Sequence, residues 1–263
     1  MLHETSLIRS LQIQLKVIGA LFMREILTRH GRHNIGFLWI LAEPMMFTLG
    51  VTGIWTLTGS HHGSTIPIVA FAVTGYSTVM LWRNMPARAV DAVIPNLSLM
   101  YHRNVKLIDV ILARLLLEAM GSTASFIVLA ILWTSIGFMK PPENILEVLF
   151  GWFMLGWFGL SLALLLGCLS YRSDLVHKIW HPTAYIFFPL SGAAFMVDYL
   201  PPAARPFILI IPMVHGVEIL REGYFGSMVH AHYDLQYLTN VCIALTVFAL
   251  AQERYVSKRI VLE

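Results

Sequence analysis

Six apolar stretches, at 37–57, 66–82, 110–138, 145–170, 180–197 and 235–251, run through a chain of 263 residues. A helix needs about 20 apolar residues to cross the hydrocarbon of a bilayer. Inside lipid a segment must also satisfy its own backbone hydrogen bonds, which a helix does. The breaks at 58–65 and 139–144 are so short that the flanking helices must form hairpins. The expected fold is therefore an all-α polytopic membrane protein with six transmembrane helices, a single domain over 1–263. Composition agrees. The chain is 57% hydrophobic and 13% charged, with a mean hydropathy of +0.70, whereas a soluble domain is about a quarter charged.

Two further segments are apolar without being spans. In residues 7–30, Leu7, Leu11, Leu15, Ile18, Phe22 and Ile26 recur at helical spacing, while Arg9, Gln12, Lys16 and Arg24 fall largely elsewhere on the circumference. A basic amphipathic helix of this kind suits a membrane surface or the face of a soluble partner. The N-terminus lacks the apolar core and cleavage site of a signal peptide, so the first span is expected to direct insertion. Residues 207–214 are strongly apolar but too short to cross, and Pro201, Pro202, Pro206 and Pro212 break their surroundings. Such pieces survive at membrane depth only where protein or a cavity shelters their backbone. Residues 198–233 are thus expected to form a re-entrant or interfacial pair of short helices on the outer side.

The basic residues orient this arrangement. Of 18 Lys and Arg, Lys140, Arg205 and Arg221 fall in the parts assigned outside, and Arg114 falls within a span. The rest, including Arg83, Arg88, Arg103, Lys106, Arg172 and Lys178, lie in the parts assigned to the cytoplasm. Positive-inside counting over short loops places both termini in the cytoplasm.

Several chemistries lack their residues. There is no phosphate-binding G-x-x-x-x-G-K-[ST] loop, no dinucleotide fingerprint, no H-E-x-x-H pair and no G-x-S-x-G elbow. No nucleotide cofactor is expected on this chain, so energy for active work must come from a partner or an ion gradient. Ion-coupled carriers place charges near mid-membrane, but Glu43, Glu118 and Glu147 each lie toward a membrane face. Arg114 and Glu118 stand at i,i+4 and are expected to pair. Glu43 either pairs near the cytoplasmic mouth or lines a pathway. His177 and His181 have a spacing that could hold a metal, but Pro182 follows directly and no third ligand is evident, so no metal site is expected. His61, His62, His230 and His232 are expected to be solvated. Cys168 and Cys242 sit in apolar runs and read as small buried hydrophobes.

Trp39, Trp55, Tyr76, Trp82, Tyr185, Phe187 and Phe188 lie in or at the ends of spans. They either form the interfacial belts common to membrane proteins or line a path on which sugar rings pack. The stretch 85–106, "MPARAVDAVIPNLSLMYHRNVK", is moderately apolar and broken by Pro86 and Pro95. It reads as a surface connector, or as a docking element presenting Leu97, Leu99, Met100 and Tyr101 beside Arg103 and Lys106.

Three motifs in order, "RHGRHNIGFLWILAEPMM", "MYHRNVKLIDVILARLLLE" and "YLPPAARPFILIIPMVHGVEILREGYFG", carry a resemblance. Over essentially its whole length the chain resembles type-2 ABC exporter membrane subunits, and within them the capsular polysaccharide export permeases of Gram-negative bacteria. The resemblance implies a homodimer in the bacterial inner membrane, docked on a dimer of separate ATPase subunits that carry ATP and Mg. Residues 7–30 would be the interface helix and 87–101 the coupling helix, with Arg88, Leu97, Leu99, Tyr101 and Arg103 as coupling candidates. The first, second and fifth spans would line the path. Candidate path residues are then Trp39, Glu43, Tyr76, Trp82, Arg83, Tyr185, Phe187 and Phe188. Arg83, Arg88 and Arg103 either attract an acidic chain or simply obey the positive-inside rule. The implied cargo is a lipid-linked, often acidic polysaccharide, passed to a periplasmic co-polymerase and an outer-membrane export protein. Nucleic acid is not an expected partner. O-antigen, teichoic acid, lipid or drug is the alternative cargo for the same architecture. A gradient-driven carrier or channel, or an intramembrane enzyme or scaffold, is the alternative class.

Overall fold

The computed structural model describes residues 7–29, 36–59, 66–100 and 105–260. Every regular element among them is helical: α1 (Leu7–Arg29), α2 (Gly36–Thr58), α3 (Ile68–Val90), α4 (Leu97–Met100), α5 (Leu107–Ile136), α6 (Ile145–Arg172), α7 (Asp174–Leu190), α8 (Arg205–Ile208), α9 (Pro212–Phe225) and α10 (Leu235–Ile260), with 3₁₀ turns at Ile94–Asn96, Val197–Tyr199 and Gly226–Met228. Four of these helices, α2, α5, α6 and α10, are long and apolar enough to cross a membrane. The expected second and fifth spans do not meet that measure. Helix α3 carries Arg83 and Arg88 toward its end, and α7 has 17 residues, about 26 Å of helix at 1.5 Å per residue.

Helix α3 is the hub. Every side chain from Val69 to Trp82 is buried, and it packs on α2, α5, α6, α7 and α9. A helix apolar on all sides belongs in a core. Its closest neighbour is α6, and glycines make that closeness possible. A Cβ added at Gly159 would stand 3.0 Å from the Trp82 Cα, and one at Gly167 would stand 3.1 Å from the Ala89 carbonyl. Small residues let helix backbones approach within lipid, where packing rather than water exclusion drives association. Hydrogen bonds fix α6 on its other sides: Trp157 Nε1 donates to Thr246 Oγ1 of α10 at 3.1 Å, and Trp152 Nε1 donates to Thr123 Oγ1 of α5 at 3.0 Å. Both cysteines are free and buried, as expected.

Local sequence sets the turns. Gly137, at φ 88°, ends α5 in the left-handed conformation that glycine tolerates. The Asn144 side chain then accepts from the Glu147 backbone to start α6. The expected α5–α6 hairpin is thereby formed. At the other end of α6, Ser173 alone separates it from α7 and caps the new helix by accepting from Leu175 N.

Two helices and one ion pair differ most from expectation. The helix expected at 66–82 continues to Val90 with Pro86 inside it, so the first residues of the 87–101 segment belong to α3. The remainder is a turn, a 3₁₀ turn and α4. The fifth helix starts at Asp174 rather than 180, because Ser173 supplies a cap the apolar pattern did not show, and it ends at Leu190 before Gly192 at φ 83°. Arg114 and Glu118 do not pair with each other. Arg114 Nε reaches Glu25 of α1 at 2.9 Å, and Glu118 takes Arg88 at 3.2 Å, since tertiary neighbours stood closer than the next turn.

Helix α1 lies on α5 and α2. Its polar side chains reach the end of the bundle that holds the α3–α5 connection: Gln14 donates to Asp109 at 2.7 Å, and Arg24 donates to Asn96 at 2.8 Å. Ile8, Leu11, Leu15, Met23 and Leu27 remain exposed. A helix stands at Leu7–Arg29, where one was expected, and Arg24 ties it to the segment 87–101 that carries the coupling candidates.

Candidate functional site

Near the α1 end, α2, α3 and α7 enclose a cavity of about 220 Å³ lined by Glu43, Phe47, Met80, Arg83, Asn84, Ala87, Trp180, His181 and Ala184. Its charged residues are Glu43 and Arg83, and Arg88 of α3 pairs with that Glu43. Arg88 bridges two acids, with Nη2 3.1 Å from Glu43 of α2 and Nε 3.2 Å from Glu118 of α5. Arg83 instead lays its guanidinium over the Tyr185 ring of α7, 4.4 Å from the centroid. Among the described residues no carboxylate pairs with Arg83. A guanidinium on an aromatic face keeps its in-plane N–H donors available for an anion.

Beside this charged mouth, α2, α3 and α7 pack a cluster of aromatic rings that shares Phe47 with it. Tyr76 of α3 meets Phe47 of α2 at 6.0 Å, Trp55 of α2 at 5.5 Å and Phe188 of α7 at 5.7 Å between ring centroids. Phe47 and Phe188 meet at 5.9 Å. The fold therefore gathers Glu43, Tyr76, Arg83, Tyr185 and Phe188 on one side of the bundle, where α2, α3 and α7 face each other. Tyr76 is buried within the cluster, and Tyr185 is exposed.

Trp82 and Phe187 point to a different place. Both line an apolar groove of about 550 Å³ between α6, α7 and α10, and the Trp82 side chain is fully buried against α6. Trp39 stands exposed on α2, one helical turn before Glu43. Of the coupling candidates, Arg88 belongs to the charged mouth. Leu97 and Leu99 sit on α4, with Leu97 packed against the core. Tyr101 and Arg103 lie outside the described residues.

A second polar assembly was not singled out from sequence. Helix α9 carries His215, Glu218 and Arg221, each fully buried, on one face at three-residue spacing. Arg221 donates to the carbonyls of Gly192 and Phe195 at 2.6 Å and of Ala193 at 2.8 Å, and its guanidinium lies 3.9 Å from the Phe71 centroid. Glu218 accepts from the backbone of Val197 and of His232, and His215 bonds the Leu209 carbonyl and the Asp234 backbone N–H. The assembly ties the end of α7, the segment 197–234 and α3 together. His232 is not simply solvated: its ring meets Asp198 at 3.0 Å and Arg205 at 3.3 Å. That hydrogen bond, with help from the Arg205 charge, holds the Asp198 carboxyl below its ordinary range despite partial desolvation. The signal for α9 was the H-x-x-E-x-x-R spacing on an otherwise apolar helix.

The description "ABC-2 type transporter" fits residues 16–225. The chain belongs to the ABC-2 type transporter membrane family. Among its relatives, the capsule polysaccharide export inner-membrane protein CtrC of Neisseria meningitidis serogroup B is 43% identical over 98% of this chain and 97% of its own length. The capsule polysaccharide export inner-membrane protein BexB of Haemophilus influenzae is 38% identical over 98% and 97%. The polysialic acid transport protein KpsM of Escherichia coli is 26% identical over 92% and 94%. This ABC-2 family membrane chain thus carries a charged cavity beside a cluster of aromatic rings.

Proposed function

We propose that this chain is the permease subunit of an ATP-driven exporter that moves capsular polysaccharide, attached to a lipid, across the bacterial inner membrane. End-to-end similarity to CtrC at 43% identity carries the reading. The mouth at Arg83 and the ring cluster beside it suit an acidic sugar chain, because sugar rings pack their C–H faces on aromatic faces. A conduit needs many weak contacts, since tight holding would stop transport. In this reading α2, α3, α5, α6, α7 and α10 all cross, with both termini in the cytoplasm. Helix α3 is shielded from lipid by its neighbours, and α7 is completed by the turn at 191–197. The 198–233 element is re-entrant from the outer side.

The working assembly is a homodimer on two ATPase subunits, which hold ATP and Mg. Helix α1 is the interface helix and 87–101 the coupling segment. ATP-driven closure beneath would be felt through Arg24–Asn96 and Gln14–Asp109 and would shift α2 against α7. A periplasmic co-polymerase and an outer-membrane export protein complete the route.

The test is affinity purification of this chain from its native membrane, together with capsule export in a strain lacking it. A Walker-motif ATPase recovered in equal amount, and polymer retained inside the deleted strain, are the expected results. Transport by this chain alone in liposomes without ATP would replace the reading with a gradient-driven carrier. Charged replacements of Leu97 and Leu99 are expected to leave ATP hydrolysis running while export stops.

A further inference from the structure

Read along the sequence, His177 and His181 lack a third ligand; the fold supplies one. Asp91 follows Val90 and caps the C-terminus of α3, and its carboxylate lies 2.9 Å from His177 Nε2 of α7. One turn further along α7, the His181 ring stands 5.2 Å from the His177 ring, centroid to centroid, at 76°. One ligand atom from each of Asp91, His177 and His181 lies within 4.8 Å of the other two, and all three residues are exposed. The geometry points to a binding site for a divalent transition-metal ion, zinc above all, made by Asp91, His177 and His181.

The chemistry fits in three respects. Two imidazoles and one carboxylate are a borderline donor set that zinc takes at about 2.0–2.2 Å, leaving a fourth position for water. Ligand atoms on one tetrahedral zinc ion stand roughly 3.4 Å apart at such bond lengths, so small side-chain rotations close the present spacing. Exposure means the ion enters without burying charge. A cavity of about 500 Å³ lined by Asp91 and His177 gives it an approach. Asp174 on the wall of that cavity favours a cation and Lys178 on the same wall opposes one, so the affinity will be set by the three donors themselves.

Position gives the site a consequence. The backbone carbonyl of Asp91 accepts from Arg114 at 2.8 Å, and Arg114 is held by Glu25 of α1. Asp91 also stands just before the 3₁₀ turn and α4, while His181 lines the charged mouth. An ion here clamps the end of α3 to the base of α7, joining the connection that follows α3 to the mouth.

The experiment is calorimetric titration of the full-length, tag-free chain in detergent with Zn²⁺, repeated with Co²⁺ by visible absorption. One site per chain is expected, with affinity at least about tenfold weaker in His181→Ala and in Asp91→Asn. The double variant His61→Ala/His62→Ala is the control and should bind as the parent does. His181→Ala leaves the Asp91–His177 contact in place, so its loss of binding cannot be ascribed to a broken pair. Zn²⁺ should also raise the melting temperature of the parent chain and not that of His181→Ala. Zinc affinity unchanged in both variants, or an absence of zinc binding by the parent chain, would overturn the site and leave an ordinary Asp–His hydrogen bond.

Discussion

The charged mouth at Glu43, Arg83, Arg88 and Glu118 and the buried polar face of α9 contain similar residues in opposite circumstances. In the mouth, Arg88 and Glu43 keep more than a third of their side chains in contact with solvent, and Arg83 faces a ring rather than an acid. On α9, Arg221 is fully buried and donates to three carbonyls of the turn after α7. A buried charge is costly unless hydrogen bonds compensate it; here the two Nη groups of Arg221 supply them, while its Nε has no partner among the described residues, and they fasten one element to another. A half-exposed charge holds its partners weakly and remains able to exchange them. Arginine therefore serves as a fastener at one end of the bundle and, in the function proposed above, as a contact for cargo at the other.

The sharpest way to break this contrast is at Arg221. Replacement by Met strands three carbonyls in a dry site at about 1–3 kcal/mol each, so a large drop in melting temperature and little recoverable folded protein are expected. Arg221→Lys should fail nearly as badly, because an ammonium cannot span carbonyls on both sides as the planar fork does. Wild-type stability in either variant would remove the fastening role.

Next in size is Gly159→Leu. Its side chain must displace Trp82 of α3, and overpacking of this kind costs about 1–3 kcal/mol. Thermal unfolding of the purified chain should show it, along with weaker export.

Arg83→Ala should leave melting temperature unchanged while reducing export of an acidic polymer by about tenfold, which is on the order of 1.4 kcal/mol. Arg83→Lys keeps the charge and should recover part of the activity. Equal loss of stability and export in Arg83→Ala would make the mouth another fastener.

The smallest effect belongs to the Arg88–Glu43 pair, for which a double-mutant cycle should return no more than about 1 kcal/mol. A similarly small acid-side effect is expected at Asp198. Its lowered pKa means that the stabilisation is present above the ordinary carboxylate range and is lost as pH falls through the folded value. Asp198→Asn should flatten that part of the stability–pH curve.

Much of the helical framework was legible in the sequence. Apolar length located α2, α5, α6 and α10, since crossing hydrocarbon needs both length and internal hydrogen bonding, and the spacing of leucines located α1. Boundaries set by a single capping residue were not legible: Ser173 opens α7 six residues before its apolar run, and Pro86 lies within α3 rather than ending it. Of the aromatic candidates, Tyr76, Tyr185 and Phe188 were drawn to the same side as Glu43 and Arg83. Trp82 and Phe187 were drawn to the groove beside α6 and α10. Sequence spacing does not separate these sets, because Phe187 and Phe188 are adjacent on α7 and Trp82 and Arg83 are adjacent on α3.

By itself the sequence determined that the chain is helical, suited to a membrane and basic at one end, and its likeness to relatives over nearly the whole length determined the family. Those properties follow from what each segment must do with its own backbone and solvent. Only the tertiary structure decided which charges are neighbours: Arg88 with Glu43 and Glu118, Arg114 with Glu25, Asp91 with His177, and Arg221 with the turn after α7. Each of these contacts joins residues of different helices, and the helix positions are fixed by glycine-sized gaps and hydrogen-bonded turns that one-dimensional spacing does not encode.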